Sequence, residues 1–331
     1  MMPQDQTKKE ALFNEVKGSL FEYLICRRLS ELSGEELDFI NSLDKNYSYV
    51  LSQQDQMVRQ FYPEMLPFLH QVAKKSSDQL IDYIGEIPKR PRLRGKFINS
   101  ANANDHFEAD VLLESSQGQI PLSLKLNKKN SFVNTKSGGI KSFFTTYFPF
   151  VDKHIQQQYN SLVDREFTKM SYDLHALNDF EYPGDFSYWI AAGKSELPGE
   201  LSSEERLILK RFYAVLAAEM HRILSHAQEN LPLEFAQSLP ALLGFSSQDI
   251  LQLICFHDFK SKGEESVLIH SFNDISPFLG DANILPFHQT SSVELTLGDI
   301  QLQIRIKPMN KFTTTAIKIN CSVRFTPSYD A

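Results

Sequence analysis

The sequence predicts an α+β protein with a mixed sheet core flanked by helices. Three observations predict it. Apolar residues recur at helical spacing near the start, strict alternation marks a hairpin over residues 106–129, and alternating runs separated by turn residues fill the chain from 265 onward.

The elements follow in order. Residues 8–32 read as a helix, with Thr7 and Glu10 as a capping box and Phe13, Val16, Leu20 and Leu24 as its apolar stripe. Residues 35–85 read as further helices broken near Pro63 and Pro67. "IPKRPRLRGK", 87–96, is rich in proline and arginine and is expected to be a loop or extended arm. After the hairpin come a Gly-Gly turn at 138–139 and a helix interrupted at Pro149. Residues 161–200 read as irregular, 204–229 as a strong helix, and 234–256 as one or two more. The strands "ESVLIHSF", "SSVELTLGDIQLQIRIKP", with a turn at Gly298-Asp299, and "TTAIKINCSVRF" complete the chain.

A chain of 331 residues, 42% hydrophobic and 23% charged, has room for one large or two modest domains. No run approaches the length of a membrane span, and "MMPQDQTKKEALF" holds no apolar core of a secretory signal, so a cytoplasmic protein is expected. Cys26, Cys255 and Cys321 are far apart and in no metal spacing, which suits buried thiols. His221 and His226 do not share a helix face, so zinc is not expected, and no Walker, nucleophile-elbow or dinucleotide fingerprint occurs. The net charge of −7 conceals an uneven distribution. Residues 89–141 hold ten Lys/Arg against four acids, and residues 300–329 hold five Lys/Arg and no acid. Two basic segments on an acidic chain suit an electropositive surface, although small charge clusters also arise by chance.

The hairpin carries the chemistry. Closure about residues 116 and 117 sets Asp110 opposite Ser123. Ala109, Val111, Leu113, Leu122, Leu124 and Leu126 then share one face, and Glu108, Asp110, Ser123 and Lys125 the other. A solvated edge hairpin gives the same alternation without any function. A carboxylate beside a lysine on a rigid face also suits a divalent-cation site with a cationic helper, the arrangement that phosphodiester hydrolysis needs.

Asp110, with Ser123-Leu124-Lys125 beginning thirteen positions on, resembles the D-x(n)-[D/E/S]-x-K signature of the PD-(D/E)XK nuclease superfamily, which includes type II restriction endonucleases and archaeal junction resolvases. "Lys17-Gly18-Ser19-Leu20-Phe21-Glu22" is similar to the K-G-x-x-x-E opening that those families place on the helix beside the active hairpin. The resemblance spans residues 12–160. It implies a restriction-endonuclease-like core with added helical and β elements, in which Asp110 and Glu22 hold Mg²⁺, or Mn²⁺ in its place, and Lys125 positions or activates the attacking water. Ser123 stands where the pattern usually has an acid, and no Asp or Glu occurs between Glu114 and Asp152. A second carboxylate would therefore come from Glu22 or Glu15, with Glu108 peripheral, unless the site binds one metal or has lost activity.

On this resemblance residues 1–160 would be a nuclease core with a helical insertion at about 33–85, and residues 161–331 a helical then β-rich segment packed on it for DNA recognition. Lys128, Lys129, Lys136 and Lys141 flank the Gly-Gly step, and Lys307 and Lys311 lie in the last basic segment; all six are candidate nucleic-acid contacts. The expected protein is a Mg²⁺-dependent, sequence-specific type II deoxyribonuclease acting on double-stranded DNA, with a homodimer as one assembly it allows. A repair or junction-cleaving nuclease, or a decayed nuclease-like fold that only binds nucleic acid, are the rivals.

Overall fold

The computed structural model of the chain describes residues 3–94, 109–257 and 265–325, with side chains from Phe13 onward. It is α+β and divides into two compact units. The first holds residues 1–131 and 245–275, the second 132–244 and 276–331. The chain thus leaves the first unit after Ser131 and returns at Phe245, rather than passing once between domains near residue 160. No described helix is long and apolar enough to cross a membrane.

In the first unit, helices α1 (Pro3–Ser33), α2 (Glu36–Ser42), α3 (Lys45–Phe61) and α4 (Met65–Ile84) precede the strands β1 (Lys89–Leu93), β2 (Val111–Ser115) and β3 (Gly118–Lys128). Strands β5 (Leu251–His257) and β6 (Ser266–His270) complete a sheet of order β1-β2-β3-β5-β6. All pairs are antiparallel except β3 with β5, so this sheet is mixed. Val111, Leu113, Leu122, Leu124, Leu253 and Cys255 form one face and join Val16, Leu20, Phe21 and Leu24 of α1 and Leu69, Val72 and Leu80 of α4 in a single core. Each such side chain contributes about 1.5–3 kcal/mol on burial. The apolar stripe expected on the first helix is therefore the stripe that packs.

Several expectations over this unit are corrected. Helix α1 begins at Pro3, so Thr7 lies inside it rather than at its cap. Pro63 does separate α3 from α4, while Pro67 sits in the first turn of α4, where a missing N–H costs nothing. Residues 89–93 form an edge strand instead of a loop. Its register shifts between Lys89 and Arg92, and Arg90, with φ of 45°, and Pro91 fall in that irregularity. An edge with a bulge is where a sheet tolerates proline. Residues 251–257 form a central strand, not a helix; buried on both faces, "LQLICFH" shows no alternation to distinguish it.

In the second unit, β4 (Val133–Gly139), α5 (Phe143–Tyr147), α6 (Lys153–Leu177), α7 (Ser187–Ala191), α8 (Ser203–Asn230) and α9 (Pro232–Leu243) are followed by β7 (Asn283–Ile284), β8 (Ser292–Leu297), β9 (Ile300–Pro308) and β10 (Ile317–Phe325). The sheet runs β4-β10-β9-β8-β7, antiparallel throughout. Gly138 and Gly139 pair with Ile319 and Lys318 as strand residues, not as a turn. Residues 161–177 are helical rather than irregular: Asp152 caps α6, and Val163, Phe167, Met170 and Leu174 bury one stripe of it. Helix α8 has a full capping box from Ser202 and Glu205. The turn at Gly298-Asp299 is present, and Gly298 has a φ of 53° with Phe278 packed against the space a side chain would take.

Candidate active site

The β2–β3 register fixes the site. Val111 pairs with Leu122 and Ser115 with Gly118, so Asp110 stands across from Ser123, as the alternation predicts. The backbone of Asp110 is held from both sides: its N–H donates to the Leu122 carbonyl, and its carbonyl accepts from the Arg94 N–H. That second bond places Arg94 beside Asp110 at the end of β1.

The Asp110 carboxylate is held as firmly as its backbone. Oδ2 accepts the Leu124 N–H at 2.7 Å, the Ser123 hydroxyl at 3.3 Å and the Lys125 ammonium at 3.2 Å. Among the described residues Oδ1 has no hydrogen-bond partner. Asp110 and Lys125 are each 27% exposed at the side chain, which leaves the pair open to a ligand while much of it is shielded from solvent. Ser123 is buried, and in the parallel β3–β5 register it lies beside the buried Gln252. Sequence reasoning missed Gln252, although its position as a polar residue in an apolar run was a signal.

A divalent cation that keeps several waters needs only one or two carboxylates. Asp110 fits that demand, with one oxygen fixed by three donors and the other available. Among the described residues no three His, Cys, Asp or Glu side chains gather into a metal-holding group. Glu108 lies outside the described residues. Glu22 is half-buried on α1, and its charge adds to the burial that raises the Cys26 thiol and the Tyr47 phenol. Glu15 is exposed on the same helix, and neither glutamate bonds to the Asp110 carboxylate. Lys17, which opens the helical motif, is buried with its ammonium 4.9 Å from the Phe13 ring centroid. Burial, and then the charge of Lys128 at the end of β3, holds it below the usual lysine range.

The six candidate nucleic-acid lysines separate into classes. Lys128 and Lys129 are exposed just beyond the site-bearing part of β3. Lys141 is paired with both oxygens of Asp164, at 2.6 and 2.8 Å, and Lys311 with Glu196. Lys136 is half-buried opposite Cys321, and burial lowers its ammonium while pushing the Cys321 thiol up to about 12. Lys307 faces Lys318 across β9 and β10. All three cysteines are buried free thiols. Comparison with protein-family models, with curated proteins and with solved structures finds no match.

Proposed function

We propose that this chain is a divalent-metal-dependent endonuclease that hydrolyses DNA phosphodiester bonds, of the sequence-specific restriction type, acting in the cytoplasm. The observation that carries the proposal is the Asp110–Lys125 contact at 3.2 Å on one face of the β2–β3 hairpin, with Asp110 Oδ1 left available. Two readings of the residues converge there, since the resemblance implies this pair as metal ligand and catalytic lysine.

The chain's own groups divide the work. Asp110 would hold a hard cation, and Ser123 and the Leu124 N–H keep its carboxylate from turning. A Mg²⁺ held there would supply Lewis acidity to the scissile phosphate. Lys125 presents N–H donors to the attacking water and to the phosphoryl oxygens, where negative charge grows as the water oxygen bonds to phosphorus and the P–O bond to the leaving strand breaks. The proton that water loses passes to solvent, and the departing oxygen takes one from solvent.

Metal dependence tests the proposal. The purified chain should linearise or fragment plasmid DNA in Mg²⁺ or Mn²⁺, stop in excess chelator, and resume when the cation is restored. Discrete bands would mark site specificity, and undiminished cleavage in chelator would refute the mechanism. Two observations favour a second reading: Ser123 stands where the resembled pattern usually has a carboxylate, and Lys125 already pairs with Asp110. A chain that binds duplex DNA but never cleaves it, whatever the cation, would be a nuclease-like fold turned binding module.

A further inference from the structure

The antiparallel sheet of the second unit has two unlike faces. Leu295, Leu302, Ile304, Ile306, Ile319 and Val323 are buried on one. The other is polar apart from Phe132 at its end, whose ring centroid lies 4.2 Å from the Arg324 guanidinium, and the register orders it in rows. Lys307 lies opposite Lys318; Ser292, Arg305, Asn320 and Ser137 form the next row; Glu294, Gln303, Ser322 and Asn134 the third; Thr296, Gln301 and Arg324 the last.

Charge on this face is unbalanced. Its one acid, Glu294, lies in the row between those of Arg305 and Arg324, accepts from Gln301 at 3.1 Å and Gln303 at 3.0 Å, and among the described residues pairs with no cation. Among the described residues, Arg305, Lys307 and Lys318 form no ion pair and no side-chain hydrogen bond. Like charges directly opposite on a sheet are destabilising. The repulsion is visible at Lys307, whose ammonium is lowered first by burial and then by Lys318 and Arg305. A fold that keeps three uncompensated cations within about 8 Å of each other, given strand and residue spacings, holds charge that a ligand can neutralise. Beside them Asn320 is fixed in orientation, accepting from Ser137 at 3.1 Å and donating to Asn134 at 3.0 Å.

We propose that this polar sheet face, centred on Arg305, Lys307, Lys318 and Asn320, is a docking surface for double-stranded DNA. The choice of DNA rests on the hydrolase reading above. Three further features favour it on their own. Duplex DNA carries one charge per about 1.7 Å of axis, dense enough to meet all three cations at once. Amides and hydroxyls set among the cations match base edges and sugar-phosphate oxygens. A lipid surface would instead want apolar anchors between the cations, and the rows of Arg305, Lys307 and Lys318 hold only Ser292, Asn320, Ser137 and Gly139 besides. Lys307, singled out in the sequence, thus keeps its role, and Arg305, Lys318 and Asn320 join it in place of the ion-paired Lys311 and Lys141.

The test is fluorescence anisotropy of a labelled duplex with the full chain in chelator, titrated with salt. The variant carries Arg305→Gln, Lys307→Gln and Lys318→Gln together, which keeps side-chain length and removes the charges. Each lost phosphate contact should make the log–log salt slope shallower by about 0.9. The triple variant should therefore bind more weakly, with a slope reduced by roughly 2–3 on the same basis, and should melt no lower than wild type because repulsion is relieved. An unchanged slope and affinity, or a lower melting temperature that marks the cations as structural, would overturn the assignment. So would tighter binding to duplex RNA than to DNA, or a loss seen only with anionic vesicles. Plasmid cleavage in Mg²⁺ is scored separately. Wild-type cleavage with an unaltered slope in the triple variant overturns this surface and leaves the hydrolytic site standing, whereas slope-dependent binding without cleavage under any cation does the reverse.

Discussion

Replacing Asp110 should affect stability as well as chemistry, and by an amount that depends on the replacement. Its Oδ2 is the acceptor for the N–H of Leu124, a residue 4% exposed. In Asp110→Ala that donor has no acceptor, which costs about 1–3 kcal/mol, and the partly exposed Lys125 pair adds at most about 1 kcal/mol. The expected loss is about 1–4 kcal/mol on those figures. Asp110→Asn keeps an amide oxygen for Leu124 and gives up only the charge, so its loss should be about 1 kcal/mol. Urea unfolding of both variants measures the difference, and amide exchange at Leu124 localises it. Equal stability of Ala, Asn and wild type, with Leu124 equally protected, would refute the bond between Asp110 and the backbone, and with it the claim that the carboxylate is held in place. The order expected also makes Asn the proper variant for activity.

Two further outcomes are expected. Ser123→Asp would set a second, buried carboxylate beside Asp110; without metal it should lower the melting temperature through like-charge burial, and millimolar Mg²⁺ should raise it again, measured by scanning fluorimetry with and without chelator. His270 is depressed below the usual histidine range by burial, which outweighs the opposing pull of Asp274. The unfolded chain therefore binds more protons than the folded one below about pH 6.5, so stability should fall as pH drops from 7 toward 5. His270→Gln should flatten that part of the urea-midpoint profile, and an unaltered profile would assign the acid sensitivity elsewhere.

The hairpin was legible because its signals were local. Alternation fixed the faces, the polar turn at 116–117 fixed the register, and together they set Asp110 opposite Ser123 and beside Lys125. The Leu124 N–H left no trace in the sequence, because every residue but proline carries one. Gln252 was hidden for another reason: it lies beside Ser123 only through a parallel pairing of strands more than a hundred residues apart. That same strand was misread because burial on both faces removes the period that identifies it. Helix α6 was hidden by its composition, since charged and polar residues outnumber Val163, Phe167, Met170 and Leu174, and only their spacing reveals the buried stripe. The pairing of Lys141 with Asp164 and of Lys311 with Glu196 likewise depends on folding, so charge runs alone overstated those two lysines as free cations.

The central claim is that Asp110 and Lys125 form one hydrolytic site, and the most direct test is Mg²⁺-dependent plasmid cleavage by Asp110→Asn and Lys125→Ala beside wild type, with folding of each checked by circular dichroism. Both variants should fold and still bind DNA, and each should cleave at least several hundredfold more slowly, since every 1.36 kcal/mol of lost transition-state stabilisation is about tenfold in rate. Wild-type cleavage by either folded variant would contradict the account and reduce the pair to a structural contact at the end of a strand.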